Sequence, residues 1–549
     1  MVKYKILNQH SPEYDEVYIT KMDLLYDGGQ NVINNAAMFI PKEIMESAPA
    51  YQNRLNCASY KNHLSSIINS FSAEVFNKSI TVLPASDADD KSTSGISLDL
   101  DATDDFYQDF MENADLKGTS LVNILKKILS EAMNHGKGLV QVDFPKSDIR
   151  PLSLIEEEEL GTARAYLIPI PLLSMIDWEI DETTGTFKFL VLKSEYSKRE
   201  TFLSDRTMKT VRFKIWEKSD EGIVSWKIFE LKVKCNREPK PDDEFSLIEE
   251  GIVSFPEIPI LMMECPTELC IGDLIGTLCV DHFKRYSSLI HAENRNLFSL
   301  PVYAQGPELS SSGDLSEIAQ NPNRGMQAAT QMRHKGFAVT GPEDKIYFAE
   351  PTGNSYQLVN EQIKELEDSI YKITNQMAAS ISNSQSAKSL SGLSKIVDNR
   401  AKEIVLTAYG ELIKAFVVKL YKLISAARNE PIMWAVLGLD DYRLTMDREQ
   451  LLKEATSIQL ISIPSKTFKK AMLTQIAVQF LDSLTPQEQM VIKEEIDESV
   501  ESMEEDEMYG RENQDREDTK EAKELSLEGT KKMNDQIGKE KPMMKNNEK

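Results

Sequence analysis

V-N-E-Q-I-K-E-L-E-D-S-I-Y-K-I-T-N-Q-M, residues Val359 to Met377, is the stretch that decides how this chain folds. Its apolar members, Val359, Ile363, Leu366, Ile370, Ile373 and Met377, alternate steps of four and three, which is the a/d spacing of a helix with one apolar stripe. At ~1.5–3 kcal/mol for each buried side chain, the stripe is worth on the order of 10 kcal/mol. A lone helix cannot bury it. The stripe therefore packs on a neighbour, either as an ordinary core face or as a seam between subunits.

The flanking segments supply candidate neighbours. Ser380–Ser394 reads S-I-S-N-S-Q-S-A-K-S-L-S-G-L-S, and its seven serines and Gly392 favour a loop or an easily bent helix. A second helix is predicted from Leu393 to Arg428, with Ile396, Ile404, Val405, Ala408, Leu412, Phe416, Leu420 and Leu423 turned inward. At ~1.5 Å per residue it would be about 50 Å long. Upstream, Leu274, Ile275, Leu278, Phe283, Tyr286, Leu289 and Ile290 predict a helix over Gly272–Leu300, which Pro301 stops. Residues 301–354 hold nine Gly or Pro before the Pro351–Gly353 turn and little periodicity, so they read as a loop-rich insertion between two long helices.

Residues 384–428 run against the charge of the whole chain, with eight basic and three acidic side chains. Lys388, Lys395 and Lys402 stand seven apart, so the helical part of the row shares one face, and Arg400 lies between them. The row is either a solvated helix face or a basic strip that meets phosphate, and phosphate contacts need no base reading.

Further out, Leu55, Leu64, Ile67, Ile68, Phe71 and Val75 predict a helix within Tyr51–Phe76, followed by a short strand at Ile80–Leu83. Ser86–Asp105 is polar and acidic. Counted from Asp99, its sixth position is Asp104 where a calcium loop needs Gly, and its twelfth is Phe110 where a bidentate Glu is needed, so it reads as a solvated loop. Leu121–His135 is helical by periodicity with Gly136 placed to end it, and Leu139–Phe144 reads as a strand. From Ala163 to Val253 short β-rich runs alternate with Asp/Gly/Ser turns. Pro431–Ile492 reads as a small helical unit. Beyond it, residues 494–507 carry nine acids and no base, and 510–549 are polar, a composition that favours disorder or dependence on a partner. The fold class is α+β, predominantly helical.

At ~150 residues per domain, 549 residues make three or four units. The balance of 88 acidic against 63 basic side chains gives a net charge of −25, which excludes a protein that grips nucleic acid over its whole surface. Met1–Tyr14 has no apolar core and Ile258–Met263 is far shorter than the ~20 residues of a span, so no secretion signal, transmembrane helix or membrane partner is expected. The five cysteines (Cys57, Cys235, Cys265, Cys270, Cys279) are odd in number and spaced unlike metal ligands, which suits buried thiols in a reducing compartment. There is no P-loop, H-E-x-x-H or G-x-S-x-G, and six His are scattered singly. The expectation is no enzyme, no cofactor and no metal.

The order of short blocks resembles one family. D-L-L-Y-D-G-G (Asp23–Gly29), F-I-P-K-E (Phe39–Glu43), Y-Q-N-R-L (Tyr51–Leu55), A-S-Y-K-N (Ala58–Asn62) and V-F-N-K-S-I (Val75–Ile80) are similar to the opening of tailed-bacteriophage portal proteins. H-G-K-G-L-V-Q-V-D-F-P (His135–Pro145) and Tyr166 to Ile176-Asp177-Trp178 resemble strands of that family's wing, and F-P-E-I-P-I (Phe255–Ile260) its descent into the stem. The resemblance covers residues 23–428 and is strongest at its two ends.

It implies an N-terminal arm and α+β wing (1–271), stem helices (272–300 and 355–379) and a clip (301–354). It further implies a tunnel loop (380–394), a long wing helix (395–430), a helical crown (431–492) and an acidic, disordered tail (493–549). The implied role is a ring of about twelve subunits at one capsid vertex. That ring docks the terminase large subunit for genome packaging, later carries the head–tail adaptor, and allows genome ejection. Its implied partners are the major capsid and scaffolding proteins and the double-stranded DNA passing through. It would reside in the virion, and in the host cytoplasm during assembly. Lys388, Lys395, Arg400 and Lys402 would be tunnel contacts, and Val359, Ile363, Leu366, Ile370, Ile373 and Met377 a subunit seam. The serine-rich loop holds no aromatic residue, so DNA contact there would be polar and transient. The alternatives are another helical oligomeric structural or interaction protein, or an intracellular nucleic-acid enzyme.

Overall fold

A computed structural model of the chain describes residues 1–78, 80–86, 97–98, 105–145, 164–197, 208–296, 300–304, 345–349, 354–381, 393–430, 432–439, 442, 491–492 and 495–496. The chain divides into two units, Met1–Arg443 and Leu444–Lys549. Of the second, only residues 491–492 and 495–496 are described, and both pairs are helical.

The first unit begins with a two-residue strand β1 (Val2–Lys3), a one-turn helix α1 (Tyr4–Leu7), and helices α2 (Glu16–Asp27) and α3 (Gly29–Asn34). Then come α4 (Ala48–Asn56) and α5 (His63–Val75), where the sequence suggested one helix over 51–76. The break has a local cause. Asn62 caps α5 by accepting from the Ser65 amide at 2.9 Å, and its amide donates to the Tyr26 carbonyl at 2.8 Å, which ties the interruption to α2. Helices α6 (Asp105–Glu112) and α7 (Leu121–His135) follow, the latter ended by Gly136 at φ +81°.

Strands β2 (Ile80–Ser86) and β3 (Ser97–Leu98) precede α6. β4 (Lys137–Asp143) and β5 (Tyr166–Ile170) come after α7. β6 (Met175–Ile180), β7 (Phe187–Tyr196), β8 (Met208–Lys218), β9 (Val224–Lys234) and β10 (Glu244–Val253) join β1 in an antiparallel sheet of order β1-β10-β9-β8-β7-β6. Its strands alternate sides. Trp178, Leu190, Trp216, Trp226 and Ile228 pack one face against Ile19 of α2 and Leu139 of β4. Val191, Val211, Phe213, Phe229 and Phe245 form the other face, under Leu7 and the ring of Tyr4. Both faces are therefore covered within the unit. β11 (Ile260–Glu264) pairs with β4, and β4 with β5, in a smaller sheet against α7.

Three long helices complete the unit: α8 (Ile271–Asn296), α9 (Asn354–Ile381) and α10 (Leu393–Ala427). Between α8 and α9, β12 (Leu300–Ala304) pairs with β13 (Lys345–Ala349) in antiparallel register. The rest of the insertion expected at 301–354, residues 305–344 and 350–353, lies outside the described residues.

The helical unit expected over 431–492 needs correction at its start. Met433–Gly438 is a strand, β14, paired antiparallel with β2 from Met433 opposite Ala85 to Gly438 opposite Ile80. The run M-W-A-V-L-G suits a strand, and Trp434 packs on the rings of Tyr107 and Tyr421, 4.6 and 5.0 Å away. Trp434 and its neighbours thus serve the first unit, while residues 443–490 lie outside the described residues.

α10 is the axis of the main core. Val405, Tyr409, Ile413, Phe416, Leu420 and Ile424 are all buried, and Tyr409 donates its hydroxyl to the Leu269 carbonyl at 2.6 Å. Gly410 permits the closest approach, since a Cβ there would stand 2.2 Å from the Leu439 carbonyl oxygen. Helix propensity favours Gly410→Ala by ~1 kcal/mol, whereas the clash predicts a loss of about 1–3 kcal/mol. The expected result is a lower melting temperature for Gly410→Ala; an increase would show that the β14 end does not close on α10.

Candidate functional site

The residues expected to carry function cluster on α8, α9 and α10. Helices α8 and α9 pack along each other, with Arg285 donating to the Gln362 side chain at 3.1 Å, and α9 also packs on α10. The a/d stripe of α9 divides into two rows. Ile363 and Ile370 are buried, and Ile370 belongs to the main core; Thr374, one turn on, hydrogen-bonds the Ile370 carbonyl at 2.8 Å. Val359, Leu366 and Ile373 are half-buried, and the neighbouring Leu358 is 57% exposed. Met377 lies on the same helix, with its side chain outside the described residues. The chain's own core therefore takes Ile363 and Ile370, with Ile373 packed against it, and Val359 and Leu366 keep part of their apolar surface exposed among the described residues.

The expected basic strip is distributed differently from its heptad spacing. Lys388 lies outside the described residues, and Lys395 and Arg400 lie on α10 with their side chains outside them. Lys402 forms an ion pair with Glu74 of α5 at 2.7 Å, each side chain more than a third exposed, and its ammonium stands 5.8 Å from the Phe71 ring. Its charge is compensated inside the unit. Further along α10, burial pushes the Lys414 ammonium below its usual range, opposed by Glu411. Lys419 and Lys422 border a cleft of about 590 Å³ with Thr184, Glu257 and Glu264. Burial raises the Glu257 carboxyl there, partly offset by Lys218, Lys422 and Lys419.

A second cleft, of about 470 Å³, lies between α2, α5 and α7. His135 at the end of α7 approaches Asp23 at 2.8 Å, and Asn134 approaches His135 at 3.1 Å. Burial pushes the neighbouring Glu131 carboxyl up to about 7, against the lowering influence of Lys127 and His135. The periodicity of α7 gave no sign of this pair, because the contacts join α7 to a helix about a hundred residues earlier.

Among the described residues no hydrogen bond joins a serine hydroxyl to a histidine, and burial holds the Cys270 and Cys279 thiols up at about 12, far from a reactive thiolate. No helix among the described residues is long and apolar enough to cross a membrane.

The raised Glu131 carboxyl has a stability consequence. This carboxyl ionises near its ordinary value of 4.5 in the unfolded chain and near 7 in the folded one, so stability falls as pH rises through that window. Glu131→Gln removes the titration. Relative to the unmodified chain, the variant should match it below pH ~4.5 and gain on the order of 3 kcal/mol by pH 8, in melts across that range. A pH-independent difference would contradict the burial of this carboxyl.

No protein-family model and no curated protein matches the chain. Among solved structures it is similar to a chain in the neck of an empty GTA particle computed with C6 symmetry, with TM-score 0.35 and 9% identity over 80% of this chain and 96% of that one. It is similar to a chain of the native gene transfer agent virion, with TM-score 0.34 and 10% identity over 81% and 96%. A third is the HK97-family phage portal protein from Corynebacterium diphtheriae, with TM-score 0.29 and 12% identity over 73% and 95%. Likenesses at these TM-scores do not by themselves assign a function.

Proposed function

We propose that this chain is the subunit of a portal-type ring, a structural connector at one vertex of a phage-like particle through which double-stranded DNA passes. The observation that carries the reading is the order of parts after the wing-like sheets. A long helix leads to a β-hairpin that brackets residues 305–344, then to a second long helix packed on the first, then to a serine-rich segment, then to a third long helix set in the core. That order coincides with the blocks of sequence that resemble portal proteins over residues 23–428.

In this reading α8 and α9 are the stem, the hairpin is the base of the clip, and the serine-rich stretch 380–394 is the tunnel loop. The clip meets the head–tail adaptor and the terminase. The half-buried Val359 and Leu366, with the exposed Leu358, face the neighbouring subunit, since they are apolar surface that the described residues leave incompletely covered. The net charge of −25 suits a conduit. A duplex carries one charge per ~1.7 Å, so a uniformly basic bore would hold it, whereas an acidic wall with a few lysines repels it weakly and keeps it centred. Lys388, Lys395 and Arg400 are the contacts, and Lys402, already paired with Glu74, contributes least. The ring hydrolyses nothing itself.

Three experiments test this. Negative-stain micrographs of the purified full chain should show annular particles with a central hole. Leu358→Ser with Val359→Ser should weaken ring formation without lowering the melting temperature of the dissociated chain. Ile370→Ala should instead cost about 2–5 kcal/mol at any protein concentration. Monomers or dimers under all conditions would contradict the ring. In a packaging assay, Lys388→Glu with Lys395→Glu should leave rings intact and alter genome filling or retention; normal filling would remove the polar-contact role of the loop.

A further inference from the structure

Three helices meet at a polar cluster that the portal reading does not use. His63 is the first residue of α5, His282 lies midway along α8, and Glu367 lies on α9. His282 is fully buried, and its Nε2 stands 3.1 Å from Glu367 Oε1. His63 Nε2 stands 3.8 Å from the same oxygen, and its Nδ1 lies 3.3 Å from the Tyr371 hydroxyl, one turn further along α9. The two imidazoles meet edge to face at 4.8 Å. One ligand atom from each of the three residues can be chosen so that all lie within 4.8 Å of one another.

One feature distinguishes this cluster from a packing contact. His63 Nε2 and His282 Nδ1 are buried with no hydrogen-bond partner among the described residues, a costly state for ring nitrogens. The cluster offers two imidazole nitrogens and one carboxylate oxygen.

The spacing fits a small dication. Zinc bonds of about 2.0–2.2 Å to nitrogen and oxygen give tetrahedral edges of about 3.4 Å; the edges from the two imidazoles to Glu367 Oε1 are 3.1 and 3.8 Å, and the edge between the imidazoles, within 4.8 Å, must shorten on binding. We infer that His63, His282 and Glu367 form a binding site for a transition-metal dication of the zinc class, which clamps the α8–α9 pair to the start of α5. His63 Nε2 ligates while Nδ1–H donates to the Tyr371 hydroxyl, the outer-shell support such ligands use. His282 ligates through Nε2 with its proton on Nδ1, which has no acceptor among the described residues, and this lowers the affinity.

Lys61 is the competitor. Its ammonium lies 2.9 Å from the same Glu367 oxygen and 4.7 Å from the Tyr286 ring, and its side chain is 45% exposed, so it can leave for solvent when a metal arrives. Metal and lysine therefore exclude each other at one carboxylate oxygen, and the fourth coordination position opens where the ammonium was.

Cobalt(II) titration of the full chain, stripped of metal with chelator, tests this. The expected result is one equivalent bound with the visible d–d band of a low-coordinate nitrogen/oxygen site. His63→Ala and Glu367→Gln, the latter nearly isosteric, should each weaken binding about tenfold or more, and Lys61→Met should tighten it by about tenfold. Zinc should raise the melting temperature of the unmodified chain and of Lys61→Met, and not that of Glu367→Gln. No stoichiometric uptake, uptake unchanged in His63→Ala and Glu367→Gln, or a thiolate charge-transfer band would overturn the site.

Discussion

Everything in the first unit depends on α10 being buried on several sides at once. A helix with Val405, Tyr409, Ile413, Phe416, Leu420 and Ile424 out of water needs partners around its circumference. It finds them in α5, α9, β11 and β14. Gly410 lets the chain beyond β14 close against the helix backbone, and Tyr409 anchors it to the segment that launches α8. The elements α5, α9, β11 and β14 are thereby held to one axis, β14 following α10 by only a few residues.

The position of α9 follows from that axis. Because Ile370 sits in the core with Ile373 packed against it, the helix is fixed in rotation, and Val359 and Leu366 remain half-buried nearer its start. Rotation also sets which charges meet. Glu367 turns toward His282 and Lys61, and Gln362 toward Arg285. A portal-type subunit needs such a fixed pair of helices, since the loops at both ends must hold their places relative to DNA and to docking partners. Rigid helices that carry variable connections are a general way to place function on loops.

The sequence revealed the helices more fully than their contacts. Periodicity located 121–135, the two stem-like helices and the long helix, because each buries a face wide enough to leave a repeat. It missed the division of 51–76 into α4 and α5, which depends on Asn62 reaching Tyr26, a contact between distant residues. It also missed β14, whose strand character comes from pairing with β2, over 340 residues earlier. The pairing of Lys402 with Glu74 and the meeting of His63, His282 and Glu367 were illegible for the same reason. Spacing along a helix says which residues share a face, and not what that face meets.

The central proposal is that α8 and α9 pair within one subunit and stand beside an axial channel, with the serine-rich stretch 380–394 facing it. A cryo-EM reconstruction of the purified assembly addresses this directly. The account predicts a closed ring with a central hole, an α8–α9 pair continuous within each subunit, and the segment after α9 at the hole. An assembly with no channel, or one in which α9 packs its Ile363 and Ile370 row on a neighbouring subunit, would contradict it.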